Sequence, residues 1–392
     1  MCALVLVVAA MLTGSTLRPV AGATTDDAVT YRIDAAHSGS QPADGLAPPL
    51  RRVWSIDLGG IVSYPLIVGG RVFVTAVDGS GFGSHLLALD AGTGRTLWGP
   101  VELGGPFAFS GAAYDGGRVF VVNFSGRLRA LDAATGSVAW SVQLSQYAFT
   151  APPTALDGVV YLSGAGYGGT VYAVSEATGS VIWAQPVTNG DRSAPAVSAN
   201  GVYVTYLCQQ DFAFDRLRGT PLWHHSTPCA GGGGATPALA DGRVYDLDVG
   251  FAGSGALGRE VELDAQSGNI VGSFLADYEP AFDGVLGFFV RSGMLSAAVT
   301  PTDVAVWGFT GDGTLNTAPV VAAGHVYVAG SSGMVYAVNE LTGAQEWSQN
   351  LGAAPPSSCG VCPVGGLAVG DGILVVPMGT RLGAFGGGAA AG

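Results

Sequence analysis

Apolar and polar positions alternate along this chain in short runs, and glycine closes nearly every run. ALDGVVYLSG (residues 155–164), SANGVYVTY (198–206), LADGRVYDLD (239–248) and VAAGHVYVAG (321–330) each read as a few apolar residues, a tight turn and an alternating strand. LLALDAGTGRTLW (86–98), LRALDAATGSVAW (128–140), VYAVSEATGSVIW (171–183) and VYAVNELTGAQEW (335–347) predict a second hairpin whose turn ends in Thr-Gly and whose last strand carries tryptophan. The glycine four residues before tryptophan (Gly94, Gly136, Gly179, Gly219, Gly343) supplies the positive φ that such a turn wants. Each copy therefore holds two hairpins, or four strands, labelled A to D from the inside outward.

The copies recur with the tryptophans. Trp54, Trp98, Trp140, Trp183, Trp223, Trp307 and Trp347 are separated by gaps of 44, 42, 43, 40, 84 and 40 residues. The long gap is two periods of about 42, the length of one four-stranded propeller blade. A unit of that size cannot bury its faces alone and must stack on its neighbours. The double gap hides a degenerate copy in which residues 263–268 match the turn, Gly272 takes the tryptophan position and Phe274 is expected to fill the wedge. A last partial copy, residues 366–385, lacks its outer strand, which residues 51–58 with Trp54 supply. The expected fold is all-β: an eight-bladed propeller of four-stranded antiparallel blades, closed by pairing the N-terminal strand with the C-terminal blade. The indoles are expected to wedge between blades.

Composition narrows the chemistry. All 16 basic residues are arginine, which removes lysine Schiff-base and P-loop chemistry. A net charge of −13 argues against nucleic acid as a partner. An apolar run at Ala3 to Leu12, followed by Ala21-Gly22-Ala23, predicts a signal peptide over residues 1–23 and an exported chain without a membrane span after cleavage. Residues 24–50 form a lead-in, 51–386 the propeller and 387–392 a Gly/Ala tail. A monomer is expected.

The Ala-x-Asp-x-x-Thr-Gly-x-x-x-Trp hairpins, with the upstream YRIDAAHSGSQPADGLAPPLRRVW (31–54), resemble the repeat of PQQ-type (quinoprotein-like) β-propellers over roughly residues 51–386. That bacterial family includes quinoprotein alcohol dehydrogenases, outer-membrane assembly lipoproteins and extracytoplasmic proteins without assigned activity. The resemblance to the dehydrogenases implies PQQ and calcium, held by an adjacent-cysteine disulfide, a tryptophan face, Glu/Asn/Asp ligands and an aspartate base. This chain has no Cys-Cys pair and its tryptophans occupy blade positions, so neither cofactor is expected. The expected function is a non-catalytic binding or scaffold module for a protein, peptide or glycan. The alternatives are a PQQ/calcium dehydrogenase and a glycan-processing enzyme using Asp191 and Glu279.

Variable loops fall where strands B–C and D–A connect, so a site belongs on that face. The residues just before each strand A predict a ring at the channel mouth: Tyr64, Phe109 and Phe149 on one arc, with Asp191, Arg192, Glu279 and Asn316 on the other. Cys208, Cys229, Cys359 and Cys362 fall on the same face, where an even number in an exported chain favours the disulfides Cys208–Cys229 and Cys359–Cys362. His224 and His225 point to opposite sides of a strand, so no metal site is expected there. His37, His85 and His325 read as surface or turn residues. Residues 164–169 match GxGxxG but lie between two strands, so no helix N-terminus waits there for a pyrophosphate.

Overall fold

The computed structural model describes residues 26–78, 82–227, 233–248, 260–300, 302–356 and 362–387. The expected signal peptide lies outside them. Eight sheets follow one another along the chain, each built on four antiparallel strands in the order A-B-C-D; Ser40–Gln41 adds a fifth, parallel strand to blade 7, and Gly234–Ala235 adds a short one to blade 4. Blade 1 comprises Leu66–Val68, Arg71–Val77, Ser84–Asp90 and Thr96–Glu102. Blades 2 to 7 span residues 110–143, 154–187, 196–225, 238–273, 281–309 and 320–350. Blade 8 takes Ala368–Gly370, Ile373–Met378 and Arg381–Gly387 from the C-terminal end and Leu50–Asp57 from the N-terminal end. Trp54 pairs with Ala384 in that seam, so the ring closes as the repeat predicts. Closure hides the edges that an open stack of sheets would expose. No helix of the described residues is long and apolar enough to cross a membrane.

Seven tryptophans hold neighbouring blades together by one recurring contact. The indole N–H of each blade donates to a backbone carbonyl of the next: Trp54 to Ala91, Trp98 to Ala133, Trp140 to Glu176, Trp183 to Arg216, Trp223 to Ala265 and Trp307 to Glu340, at 2.7–3.1 Å. Three residues beyond each carbonyl stands the turn glycine (Gly94, Gly136, Gly179, Gly219, Gly268 and Gly343), and the same indole lies across it. A Cβ on Gly136 would come within 2.6 Å of Trp98. The glycine is therefore required twice, for its positive φ and for the close approach of the ring. At the seam Trp347 donates to Leu50 instead, because the chain ends interrupt that turn.

Blade 5 departs from the rule together with blade 6. Gly272 replaces the tryptophan, and the C–D turn of blade 6 (residues 299–304) contains no glycine to receive one. Arg243 and Glu262 pair beside Gly272 in the vacated position. Phe274 packs between the two blades, 5.4 Å from Tyr245 and 5.8 Å from Phe289 between ring centroids.

The lead-in fills the channel. Val29 O accepts from Tyr114 N of blade 2, Ala35 O from Val197 N of blade 4, Ala36 O from Leu239 N of blade 5, Ser38 O from Phe282 N of blade 6 and Gly39 O from Val321 N of blade 7. Ala28 bridges Ile67 of blade 1, Thr30 bonds the Pro153 carbonyl before blade 3, and Asp44 accepts from Gly372 N of blade 8. One segment thus touches all eight blades in turn. His37 is wholly buried here rather than at the surface: its Nδ1 lies 2.7 Å from Tyr31 O, and its Nε2 lies 3.1 Å from both Thr154 Oγ1 and Pro195 O. Arg32, also buried, bonds the carbonyls of Pro280 and Pro319. Six of the blades begin strand A just after a proline (Pro65, Pro153, Pro195, Pro237, Pro280, Pro319), whose carbonyl remains an acceptor where the ring has no N–H to give.

Candidate binding pocket on the propeller axis

Because the lead-in closes the channel from within, a cavity of about 320 Å³ remains at the mouth on the D–A loop face. Tyr31 forms its floor. Its walls come from successive D–A loops, with Thr150, Arg192, Thr236, Asp277 to Glu279 and Asn316 to Ala318. The segment leading into blade 8, with Pro356 and Val364 to Gly366, completes it. These loops converge because every strand A starts at the axis, which brings the D–A loops ahead of blades 3 to 7 to the mouth.

The polar groups are held firmly. Tyr31 OH donates to Glu279 Oε2 at 3.3 Å. Burial, with the Glu279 charge second, pushes the Tyr31 phenol well above its ordinary range, so it stays a neutral donor. Arg192, at φ 61, is fixed by its own N–H donating to Thr150 Oγ1 at 2.9 Å. Asp277 accepts from Ser292 N at 2.6 Å. Asn316 Oδ1 is buried with no hydrogen-bond partner.

The expected ring is therefore half present. Arg192, Glu279 and Asn316 line the cavity. Tyr64, Phe109 and Phe149 do not: all three are buried between blades. Tyr64 bonds the Ala112 backbone through its hydroxyl, while Phe109 and Phe149 belong to the apolar cluster between blades 2 and 3. Val364 packs over these clusters and its carbonyl accepts from Tyr64 N, so the blade 8 approach covers that arc. Asp191 turns away as well and accepts from Gly233 N at 2.7 Å, holding a loop rather than facing Glu279. Tyr278, which the same count back from strand A gives beside Glu279, lines the cavity too; Tyr31 and Asp277 are lining residues that the spacing did not suggest, although Tyr31 is an aromatic beside Arg32 in a chain with few charges.

Other expected features are placed as follows. Residues 164–169 form the tip of a hairpin between Val159–Gly166 and Gly168–Ser175. His224 stacks on Phe212 at 4.0 Å while His225 registers against Asp211, so the pair do point apart. Cys208 is buried at φ 71, and Cys229 and Cys359 lie outside the described residues. Among the described residues, two groups of three side chains bring potential metal ligands within 4.8 Å of one another: Asp78, His85 and Glu102, and Asp26, Asp27 and Asp371. Neither lines the axial pocket. His85 sits on strand C of blade 1, where a hairpin brings it to Asp78 and Glu102 rather than leaving it isolated.

The model for the PQQ-type repeat described as outer membrane protein assembly factor BamB matches residues 51–112, 84–168, 164–274 and 261–388. The alcohol dehydrogenase (quinone) dehydrogenase subunit of Gluconobacter oxydans is 39% identical over 105 residues, 24% of this chain and 13% of that protein. The 1-butanol dehydrogenase (cytochrome c) of Thauera butanivorans is 31% identical over 158 residues, 35% of this chain and 22% of that protein. The chain thus spans less than a quarter of the length of these curated relatives. Among solved structures, quinohemoprotein alcohol dehydrogenase from Comamonas testosteroni superposes with a TM-score of 0.68 at 17% identity, covering 93% of this chain and 81% of that one. BamB from Moraxella catarrhalis superposes at 0.60 and 18% identity, covering 88% and 100%. At such identities the likeness concerns the fold. The match of the repeat model along the whole ring shows that this chain belongs to the PQQ-type, BamB-like β-propeller repeat family.

Proposed function

We propose that this protein is a non-catalytic binding or scaffold module of the bacterial cell exterior, taking a short peptide segment or a glycan in the axial pocket. The carrying observation is the pocket itself. One guanidinium (Arg192), two carboxylates (Asp277, Glu279), an amide oxygen without a partner (Asn316) and three threonines converge on about 320 Å³ beside the tyrosines Tyr31 and Tyr278. Such a mixture suits a ligand rich in both donors and acceptors. Exposed Tyr147 and Tyr167, 5.2 Å apart, offer further ring faces. We take the protein to be exported and monomeric. Loop staples Cys208–Cys229 and Cys359–Cys362 are supported by the disulfide-bonded state of Cys208 and Cys362.

The PQQ and calcium that the dehydrogenase relatives imply find a poor fit here. No tryptophan lines the pocket, since each of the seven indoles is bonded to a neighbouring blade. The sequence contains no adjacent cysteines. The glycosidase reading loses its carboxylate pair, because Asp191 faces Gly233. Peptide and glycan arrays test the proposal: hits should weaken at least tenfold in Arg192→Ala and Glu279→Ala. Hits indifferent to both changes, or a thermal shift that requires added PQQ, would defeat it.

A further inference from the structure

Strand register defines one pair of positions at seven of the eight blade interfaces; between blades 5 and 6 the first position falls at Glu260, ahead of strand C (Val261–Asp264). The first is the strand C residue two before the partner of the tryptophan position. The second lies on strand B of the next blade, one residue before the partner of that blade's equivalent C residue. Around the ring these pairs are Leu86 and Val121, Leu128 and Leu162, Val171 and Val204, Leu295 and Val328, Val335 and Val376, and Leu382 and Val74. All twelve are buried, and each pair shares one apolar cluster. Between blades 4 and 5 the same two positions are Asp211 and Asp246. Their sheet-mates on the same faces, Ala213 and Val244, pack together as the repeat requires. Two carboxylates thus replace two aliphatics at a single interface.

Neither carboxylate is fully satisfied there, although the Thr205 hydroxyl reaches Asp246. Asp211 has no exposed surface, and both of its oxygens lack a hydrogen-bond partner; Asp246 Oδ2 lacks one too. None of the described ion pairs includes either residue. Asp248, two residues on from Asp246 and on the same side, reaches across to Cys208 N of blade 4 at 3.1 Å with Oδ1. Thr205 and His225 flank Asp211 in its own sheet. Buried carboxylates without donors are among the least favourable groups in a protein interior unless a cation accompanies them. We propose that Asp211 and Asp246, with the Thr205 hydroxyl beside them, form a divalent-cation site between blades 4 and 5 whose occupant is calcium. An all-oxygen set of carboxylates and a hydroxyl favours a hard cation, and calcium tolerates irregular geometry better than magnesium. None of these side chains lines the axial pocket, although Leu247 beside Asp246 does, so the site is read by calcium rather than by the proposed ligand.

The test uses the whole protein freed of metal with a chelator, followed by thermal unfolding during calcium titration. Saturating calcium should raise Tm by about 2–5 °C. Asp211→Asn should weaken that response at least tenfold. The double variant Asp211→Leu with Asp246→Val restores the pattern of the other interfaces; it should fold, and its Tm should ignore calcium. The inference is overturned if the wild type responds to none of calcium, magnesium and manganese, which would leave the pair sharing a proton. It is equally overturned if the double variant keeps the full calcium response.

Discussion

Trp140 donates its indole N–H to the carbonyl oxygen of Glu176 in the following blade, at 2.8 Å, and its ring lies against Gly179 three residues on. The repeat is thus a relation between blades as much as a unit within one. A methyl group on Gly179 would approach the ring to 2.8 Å at a φ of 74°. Gly179→Ala should therefore destabilise the protein by about 1–3 kcal/mol, through backbone strain and displacement of the indole. Urea unfolding monitored by tryptophan fluorescence would measure it. Gly158→Ala, at a positive φ with open space around its Cβ position, supplies the comparison for strain alone.

Arg32 ties blades 6 and 7 through the carbonyls of Pro280 and Pro319 while lying inside the channel. Removing it leaves two buried carbonyls without their charged donor. Arg32→Met, which keeps most of the apolar stem, should cost about 2–4 kcal/mol. The expected sign is a lower urea midpoint with an unchanged m-value. An unchanged midpoint would mean that water replaces the guanidinium.

The ring was legible because its determinants repeat. Tryptophan and Thr-Gly recur at fixed distance, and their physical roles, a large face and a positive φ, do not depend on distant context. Even the lapse at Gly272 is matched by the missing turn glycine in blade 6. The pocket was legible only in part. Arg192, Glu279 and Asn316 follow from counting back from strand A, but the same count cannot say that Tyr64 and Phe109 are covered by Val364, a residue some 300 and 250 positions away. The lead-in carries no repeat, so its course past eight blades leaves no periodic trace. Its two clues were Arg32 and His37, polar groups with many donors in a chain that is only 11% charged. LADGRVYDLD, by contrast, displays Asp246 openly where its sister segments have leucine or valine.

Glu176 gives a pH dependence of definite sign. Burial first, then the neighbouring Asp115, pushes its carboxyl up to about 8 against an ordinary 4.5, with Arg118 opposing. The folded chain keeps this proton while the unfolded chain releases it, so stability falls as pH rises from about 4.5 to about 8. Glu176→Gln removes the titration. Relative to wild type it should gain stability steadily across that window, by about 1–3 kcal/mol at pH 8, and show little difference at pH 4. A constant difference at all pH values would place the carboxyl in water.

His37 gives the opposite sign in a lower window. Burial depresses its imidazole to about 4 from 6.5, although the Tyr31 and Pro195 carbonyls pull the other way. In the neutral ring one nitrogen donates to Tyr31 O and the other accepts from Thr154 Oγ1, which joins the lead-in to blade 3. The unfolded chain binds a proton below 6.5 that the folded chain refuses until 4. Stability attributable to this residue is complete above pH 6.5 and is lost as pH falls toward 4, by about 3 kcal/mol in all. His37→Asn should be less stable than wild type at pH 7, and the gap should close by most of that amount at pH 4. Amide exchange should show the loss first at Val197 and Leu239, whose N–H groups bond Ala35 and Ala36. Those two amides lie on opposite sides of the interface that holds Asp211 and Asp246, so acid that loosens the lead-in should expose the same pair of blades in which the aspartates face each other.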